Sequence, residues 1–502
     1  MVKNLVIFLY YYFEKKITKD LVINHSATLF KKHINLPYAF HVNLNSEEVQ
    51  NDILHQSKNI STYIFSTVVL IKDTMISFVF MSTLLIVNFK ASLIIILLAI
   101  FTGFLFQVLT EKKIKNIGNK VRLLLGSQIK IAQAASSGIK SIILFTKKDF
   151  FQKKFETALE KKENMQIVYE MLQKIPRLLL EVLFILLIVL ILILSFNDLN
   201  NSKSFLPYLV FLTLVSIRLI PIFSNISVIL SSLKYFKPII NAIITNFNKY
   251  SDNIPSEQNS EVNDLKFTLD KILVKDLSFS YSNNKKLILE NINLQFEKNK
   301  IYCLVGETGC GKSTLMDILL GLLRPNEGKL IINNKIELNQ NNDYWFGKIS
   351  YVPQEPFLLN ETFKNNICFA MDDDLISNQK FLDAVRLSCL EDVNNQLKLN
   401  EDYNIGERGL KLSGGQRQRI GIARALYTDK SFIALDEATS ALDIATEEKI
   451  LKNLHSIKKD KILILITHRE QTIKNCDEII SLKNGKIKFV GKPEDYFLNN
   501  KS

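Results

Sequence analysis

The chain of 502 residues is sparing with the groups that staple or ligate. Its five cysteines, Cys303, Cys310, Cys368, Cys389 and Cys476, all lie in the C-terminal half at irregular spacings. They form neither a metal-ligand pattern nor a disulfide framework, which gives that half a reducing, cytosolic setting. The first apolar run, Leu5–Phe13, lacks a signal-peptide cleavage site after it and is shorter than the about 20 residues that cross a bilayer. Charge is missing altogether from residues 91–110, and the connections 88–90 and 196–204 hold only Lys90 and Lys203 as basic residues.

What is present is apolar and basic. The hydrophobic fraction is 47%, and 63 Lys+Arg against 50 Asp+Glu leave a net charge of +13. Such an excess can serve nucleic acid, but here it is concentrated in loops beside apolar spans, so a membrane is the expected partner and nucleic acid is not. The length exceeds what one core supports and calls for two or more domains.

Four stretches read as membrane spans, at about 62–87, 91–110, 178–195 and 205–230, with a partial span at 2–13. Residues 14–61 are mixed and charged, interrupted by Pro37, and read as a soluble helical excursion. The loop 111–177 carries fifteen Lys and Arg, which puts it in the cytoplasm together with residues 14–61 and everything after 231. Its helical pattern predicts that the second and third spans continue as rods beyond the bilayer. Lys72, Asp73, Glu181 and Arg218 are ionisable groups inside spans. Arg218, mid-span with Pro221 a turn later, suits an aqueous or substrate-lining cavity; for Lys72 and Glu181 local pairing or an interfacial position is equally open. The transmembrane domain is expected over 1–245, an Asn-, Ser- and Pro-rich linker over 246–265, and a cytosolic α/β domain over 266–502.

In the second half, Ile301–Thr314 is an apolar β-branched run that breaks into glycines and opens a helix. Gly306, Gly309 and Gly311 leave no side chain between backbone N–H groups and phosphate oxygens, and the helix start adds its dipole. Lys312 supplies charge for the β- and γ-phosphates and Ser313 a hydroxyl for magnesium. Tyr281, at the end of the strand Ile272–Ser280, is placed to stack on a nucleobase. The strand Ile349–Val352 leads to Gln354, which can bond a metal-bound water. Ser413, before Gly414 and Gly415, opens a second anion-receiving helix. The buried strand Ser431–Leu435 ends in Asp436, for the magnesium shell, and Glu437, for the attacking water. The strand Lys461–Ile466 delivers His468 toward the γ-phosphate.

Taken in order, Tyr281, Gly306–Ser313, Gln354, Leu412-Ser413-Gly414-Gly415-Gln416, Asp436-Glu437, Ser440–Asp443 and His468 resemble the ATP-binding cassette family over residues 266–499. They are similar to its aromatic loop, Walker A, Q-loop, signature, Walker B with adjacent glutamate, D-loop and switch histidine. The resemblance implies an ATP hydrolase using ATP and Mg2+. Two cassettes would face head to tail, with Ser413, Gly414, Gly415 and Gln416 of one closing on nucleotide held by Gly306, Glu307, Thr308, Gly309, Cys310, Gly311, Lys312, Ser313 and Thr314 of the other. No motif is degenerate, so two identical chains suffice, and a related half-transporter could replace one of them.

Fusion to a preceding membrane domain, with Gly406-Glu407-Arg408-Gly409 before the signature, resembles the exporter branch, whose coupling helices would fall near Ile34–Ser46 and Gly138–Phe151. Pro176-Arg177 with Glu181, and Ser216–Pro221, look like the lipid-linked oligosaccharide flippases. The fold expected is an all-α transmembrane bundle followed by an α/β P-loop domain. The activity expected is ATP-driven movement of a lipid, lipid-linked saccharide or other amphipathic substrate across a bacterial inner membrane. The alternative is a soluble-type cassette ATPase coupled to a process other than transport. Exporters of this kind have six spans per half; this chain starts inside what looks like the end of the second, so the expectation is that the true start lies upstream, that the chain is a fragment, or that a partner supplies the first helix.

Overall fold

The computed structural model describes residues 2–42, 46–87, 89–196, 202–253, 268–281, 286–338, 343–391 and 403–499. It comprises two compact units, Met1–Leu36 with Phe40–Ile254, and Pro255–Ser502 with Pro37–Ala39.

Among its described residues the first unit is built of helices. Helix α1 (Val2–Ile34) is unbroken, so the partial apolar span and the charged stretch after it form one rod. Lys, Asp and Glu change a helix's solvent preference without interrupting it, whereas Pro37 marks its end. Two short helices, α2 (Tyr38–His41) and α3 (Ser46–Asn51), precede a π-turn at Asp52–Gln56 that runs into α4 (Ser57–Val87). Next come α5 (Phe89–Ser137), α6 (Ile139–Leu144), α7 (Lys148–Phe196) and α8 (Ser202–Asn253). Helices α5 and α7 have 49 residues each. At 1.5 Å per residue each is about 70 Å long, more than twice the roughly 30 Å hydrocarbon thickness, as the expected rods require. The short helices α2 and α6 fall in the two ranges expected for coupling helices. Helix α8 carries helical structure through Asn253, into the stretch read as linker; the rest of that linker and the Arg218 side chain lie outside the described residues.

Among the described residues, Ser57–Ile86 and Leu219–Thr245 are long and apolar enough to cross a membrane, with only 17% and 33% of their apolar windows buried. Large exposed side chains such as Phe101, Phe104, Leu109, Leu178 and Ile185 are similarly uncovered, which suits lipid as the surrounding solvent. The charges read within spans pair locally: Lys72 lies 3.3 Å from Asp73, to which Asn225 also donates, and Arg177 lies 2.8 Å from Glu181.

Helices α5 and α8 approach closely because Gly118 permits it: a Cβ there would stand 2.2 Å from the Tyr235 carbonyl oxygen. Around this crossing Ile114, Ile239 and Ile243 are buried, and Tyr169 stacks on Tyr235 at 4.2 Å. Gly118→Leu is therefore expected to destabilise this bundle by about 2 kcal/mol or more, since backbone against side chain leaves no rotamer that relieves the overlap. The check is the thermal midpoint of the detergent-solubilised protein, with ATP affinity unchanged.

The second unit holds two sheets. A four-stranded antiparallel sheet has the order β2-β1-β4-β5, with β1 at Lys271–Phe279, β2 at Leu289–Glu297, β4 at Glu327–Ile332 and β5 at Ile336–Glu337. The other has the order β10-β9-β3-β8-β7-β6: β3 is Lys300–Gly306, β6 Ile349–Val352, β7 Phe432–Asp436, β8 Ile462–Ile466, β9 Glu478–Lys483 and β10 Lys486–Gly491. From β9 to β6 every pairing is parallel. Strands β7 and β8, at the centre, are buried along nearly their whole length and read as apolar runs because both faces are covered. Register places Leu304 beside Ile466, Ile466 beside Asp436, and Leu435 beside Val352. The loops after β3, β6, β7 and β8 therefore emerge along one edge, where α/β sheets gather their ligand-binding residues.

Candidate nucleotide-binding site

Three glycines shape the loop after β3 for different reasons. A Cβ at Gly306 would lie 2.3 Å from the Leu482 carbonyl oxygen, and at Gly311 2.8 Å from Leu289 Cδ2. Gly309 has φ +81° with nothing within 4 Å of an added Cβ, so dihedral freedom is what it contributes. Gly311 caps helix α9 (Lys312–Leu319), whose first N–H groups have no partner within the helix. The Lys312 ammonium is buried and donates to the carbonyls of Gly306 at 2.7 Å and Glu307 at 2.9 Å, bracing the loop from inside. Ser313 is exposed at the helix start. The Tyr281 hydroxyl lies 3.5 Å from Thr314 Oγ1, and its ring stands edge-on to Phe279. An open, N–H-rich concavity of this kind fits a chain of phosphates.

Carboxylates crowd the same edge. Burial, and then the neighbouring Glu437, push the Asp436 carboxyl above its ordinary range. Burial and Asp436 together push Asp317, on α9, up to about 6. The Tyr351 hydroxyl lies 3.5 Å from Asp436 Oδ2. Glu437 sits at φ +45°, an uncommon conformation for a glutamate, and its N–H donates to the Ile466 carbonyl at 3.0 Å. Its carboxylate accepts from Gln354 Nε2 at 2.8 Å and lies 3.3 Å from His468 Nε2. Three residues read separately along the chain thus meet at one carboxylate. The donor set of Ser313 hydroxyl, Gln354 amide oxygen and Asp436 carboxylate is all oxygen, and the uncompensated acids beside it fit a hard divalent cation such as Mg2+.

The signature residues are arranged otherwise. Ser413 caps the helix Gly414–Tyr427 in a capping box: its Oγ accepts from the Gln416 N–H at 3.2 Å, and Gln416 Oε1 accepts from the Ser413 N–H at 2.8 Å. The hydroxyl proton of Ser413 stays available to an external acceptor. Gly414 and Gly415 face Ala441, and a Cβ on Gly415 would lie 2.9 Å from its carbonyl oxygen. Among the described residues no hydrogen bond joins Ser413, Gly414 or Gly415 to the loop 306–314.

Two connecting residues escaped the sequence reading. Gln418 is 5% exposed; its Nε2 donates to the carbonyls of Gln354 at 3.2 Å and Glu437 at 3.3 Å and to Ser440 Oγ at 2.9 Å, while its Oε1 accepts from the Ala441 N–H at 2.8 Å. Arg469 donates to the carbonyls of Ser440 at 2.7 Å and Leu442 at 3.1 Å and pairs with the buried Glu447. The stretch Ser440–Leu442 is thereby held on both sides. The available signal was a glutamine sharing a helix face with Ile422 and Ala425, since a polar group on a buried face needs partners.

A family model described as "ABC transporter" matches residues 289–440, and one described as "ABC transporter transmembrane region" matches residues 4–223. The chain belongs to the ATP-binding cassette transporters. Its membrane region and cassette lie in one polypeptide, in the exporter arrangement. The ATP-dependent lipid A-core flippase of Blochmanniella pennsylvanica is 27% identical over 491 residues, covering 94% of this chain and 80% of that protein. The alpha-hemolysin translocation ATP-binding protein HlyB of Escherichia coli O157:H7 is 40% identical over 238 residues, covering 47% of this chain and 33% of that protein. An export ATP-binding/permease protein of Rickettsia typhi is 37% identical over 228 residues, and the match spans 39% of its length. The chain thus spans about a third of the length of these last two relatives. A solved bacterial Atm1-family ABC exporter with ATP bound shares the fold, with a TM-score of 0.81 at 21% identity over 97% of this chain and 84% of that one. A helical transmembrane domain followed by an α/β nucleotide-binding domain is therefore the architecture, and the protein is an integral membrane protein.

Two outcomes follow from the geometry. Gln418→Leu keeps the side-chain volume but strands the Ala441 N–H and the groups around it. ATP turnover should fall on the order of tenfold to a hundredfold, the scale of mispositioned reacting groups, with little change in ATP affinity. Because the Asp317 carboxyl is raised when folded, its favourable contribution is complete below about pH 4 and is lost as pH rises toward 6. In Mg2+-free buffer Asp317→Asn should raise the thermal midpoint at pH 7 by a few degrees, where about 1 kcal/mol corresponds to roughly 2–4 °C, and leave it unchanged at pH 4.

Proposed function

We propose that the protein is an ATP-driven half-transporter of the exporter type. Two copies, or one copy and a related half-transporter, would move a lipid, lipid-linked saccharide or other amphipathic substrate across a bacterial inner membrane, with the cassettes in the cytoplasm. The observation that carries this reading is the convergence of Gln354 and His468 on the Glu437 carboxylate, at the same sheet edge as the Lys312 loop. The flippase similarity, which runs along 94% of the chain, supports an amphipathic substrate.

In this mechanism Glu437 accepts a proton from the attacking water, and the Gln354 amide and the His468 imidazole hold its carboxylate in place. Lys312 moves from its loop carbonyls to the β- and γ-phosphate oxygens, and His468 steadies the γ-phosphate. Tyr281 flanks the base. Ser313, Gln354 and Asp436 would hold Mg2+, which neutralises charge developing on the phosphates. Ser413, with its hydroxyl proton free, donates to the nucleotide held by the partner cassette, and Gly414, Gly415 and Gln416 present N–H groups beside it. Closure of the two cassettes would reach the membrane helices through α2 and α6, and hydrolysis would reset it.

Glu437→Gln retains shape and removes the base. ATP should still bind, while hydrolysis should fall on the order of a hundredfold or more and the closed dimer should accumulate. Crosslinking between Ser413→Cys and a cysteine in the partner's Walker A loop, with and without ATP, reads that closure. Normal turnover by Glu437→Gln would remove Glu437 from its role, crosslinking that does not depend on ATP would overturn ATP-driven closure, and no crosslinking in either condition would overturn the head-to-tail dimer.

A further inference from the structure

The chain leaves the first unit at Leu36, spends Pro37–Ala39 with the second, and returns at Phe40. Across the neck of that short excursion two imidazoles meet. His33, in the last turn of α1, and His41, at the end of α2, lie edge to face with ring centroids 4.8 Å apart. Two backbone hydrogen bonds close the α1 side of the neck: the Asn35 N–H donates to the Lys31 carbonyl and the Leu36 N–H to the His33 carbonyl, both at 3.2 Å. Leu36 itself is buried.

His33 fits this place as the neutral ring. Its Nδ1 is buried and has no hydrogen-bond partner among the described residues. A neutral imidazole keeps its one proton on the other nitrogen and leaves Nδ1 an unused lone pair, whereas an imidazolium carries N–H on both, so one donor would be buried without an acceptor. Burial, and then His41, accordingly hold His33 below its ordinary range. The ionisable groups on the neighbouring stretches of the packed elements are Lys31 and Lys32 on α1, Tyr38 and His41 on α2, Asp52 on the π-turn, Lys58 on α4, and Lys234 and Lys237 on α8. Of these, His41 is the one whose charge acts on His33. The negative end of α1 favours a cation, and Lys31 and Lys32 in the same turn supply it without His33.

We propose that His33 and His41 form a proton-sensitive latch on the neck of segment 37–39, closed while both rings are neutral and released when His33 takes up a proton. Because His33 binds its proton less readily in the folded chain than in the unfolded one, the contribution of the latch is complete above about pH 6.5 and is lost as pH falls below it. The inference rests on the proposed reading of α2 as an element through which closure of the cassettes reaches the membrane helices. A released neck no longer ties α2 to the end of α1, so acidification weakens that transmission.

The test is amide hydrogen exchange of the full-length protein in nanodiscs at about pH 7.5, 6.5 and 5.5, with and without AMP-PNP and Mg2+, each rate corrected for the intrinsic pH dependence of exchange. Protection of the Asn35 and Leu36 amides should hold steady between the two higher values and fall by up to about tenfold between the two lower, the most that one proton per pH unit allows. His33→Phe has a ring that cannot be charged and should show no fall; His33→Gln, equally without a titrating group, gives the same reading where His33→Phe does not fold. His41→Phe keeps the ring contact and the buried His33 nitrogen, so its fall should persist. No fall in the wild type, an equal fall in both His33 variants, or loss of the fall in His41→Phe overturns the latch. At the lowest pH the nucleotide-induced change in exchange across α4–α8 should shrink in the wild type and stay full in the His33 variants. If the latch titrates as described while that response stays full in the wild type, transmission through α2 is overturned and the latch stands.

Discussion

The cassette is organised by the crowding of acids at one edge of a parallel sheet. Asp436 and Glu437 leave β7 side by side, and Asp317 approaches from the helix that the phosphate loop opens. Burial first, and then Asp436 beside Asp317 and Glu437 beside Asp436, hold the carboxyls of Asp317 and Asp436 above their usual range. Lys312, whose charge acts on Asp436, donates to two carbonyls of its own loop. A site in this condition gains from a divalent cation and a polyphosphate arriving together, since one relieves the acids and the other draws the lysine outward. Nucleotide affinity and conformational response then have a common electrostatic origin.

That response needs a route out of the site. Gln418 joins the carbonyls of Gln354 and Glu437 to Ser440 and Ala441, while Arg469, directly after His468, grips Ser440 and Leu442. A shift at Glu437 therefore reaches the stretch against which Gly414 and Gly415 pack. Glu447 is buried and paired with the half-buried Arg469, and Thr439 donates to it at 2.9 Å, so parting Arg469 from it would leave a buried carboxylate without its cation.

Much of this could be read along the chain because each element announces itself locally. An apolar run followed by Asp-Glu, by Thr-His or by glycines and a lysine marks a strand and the group it delivers, and parallel pairing then places those groups at one edge. Gln418 and Arg469 were opaque because their partners lie 64 and 29 residues away and only packing brings them together. At the end of α8, Asn, Ser and Tyr at 246–253 have the composition of a linker and yet are helical, since extending an existing helix costs far less than starting one. In α1, charges after residue 13 changed the environment of the helix without ending it.

The most direct test of the electrostatic account is the thermal midpoint of the cassette transition with ATP alone and with ATP plus Mg2+, in the wild type and in Asp436→Asn. If the crowded acids are what cation and nucleotide relieve together, Mg2+ adds a clear further rise in the wild type, through binding to the folded state alone, and adds little in Asp436→Asn. An equal Mg2+-dependent rise in both proteins, or none in the wild type, would contradict it.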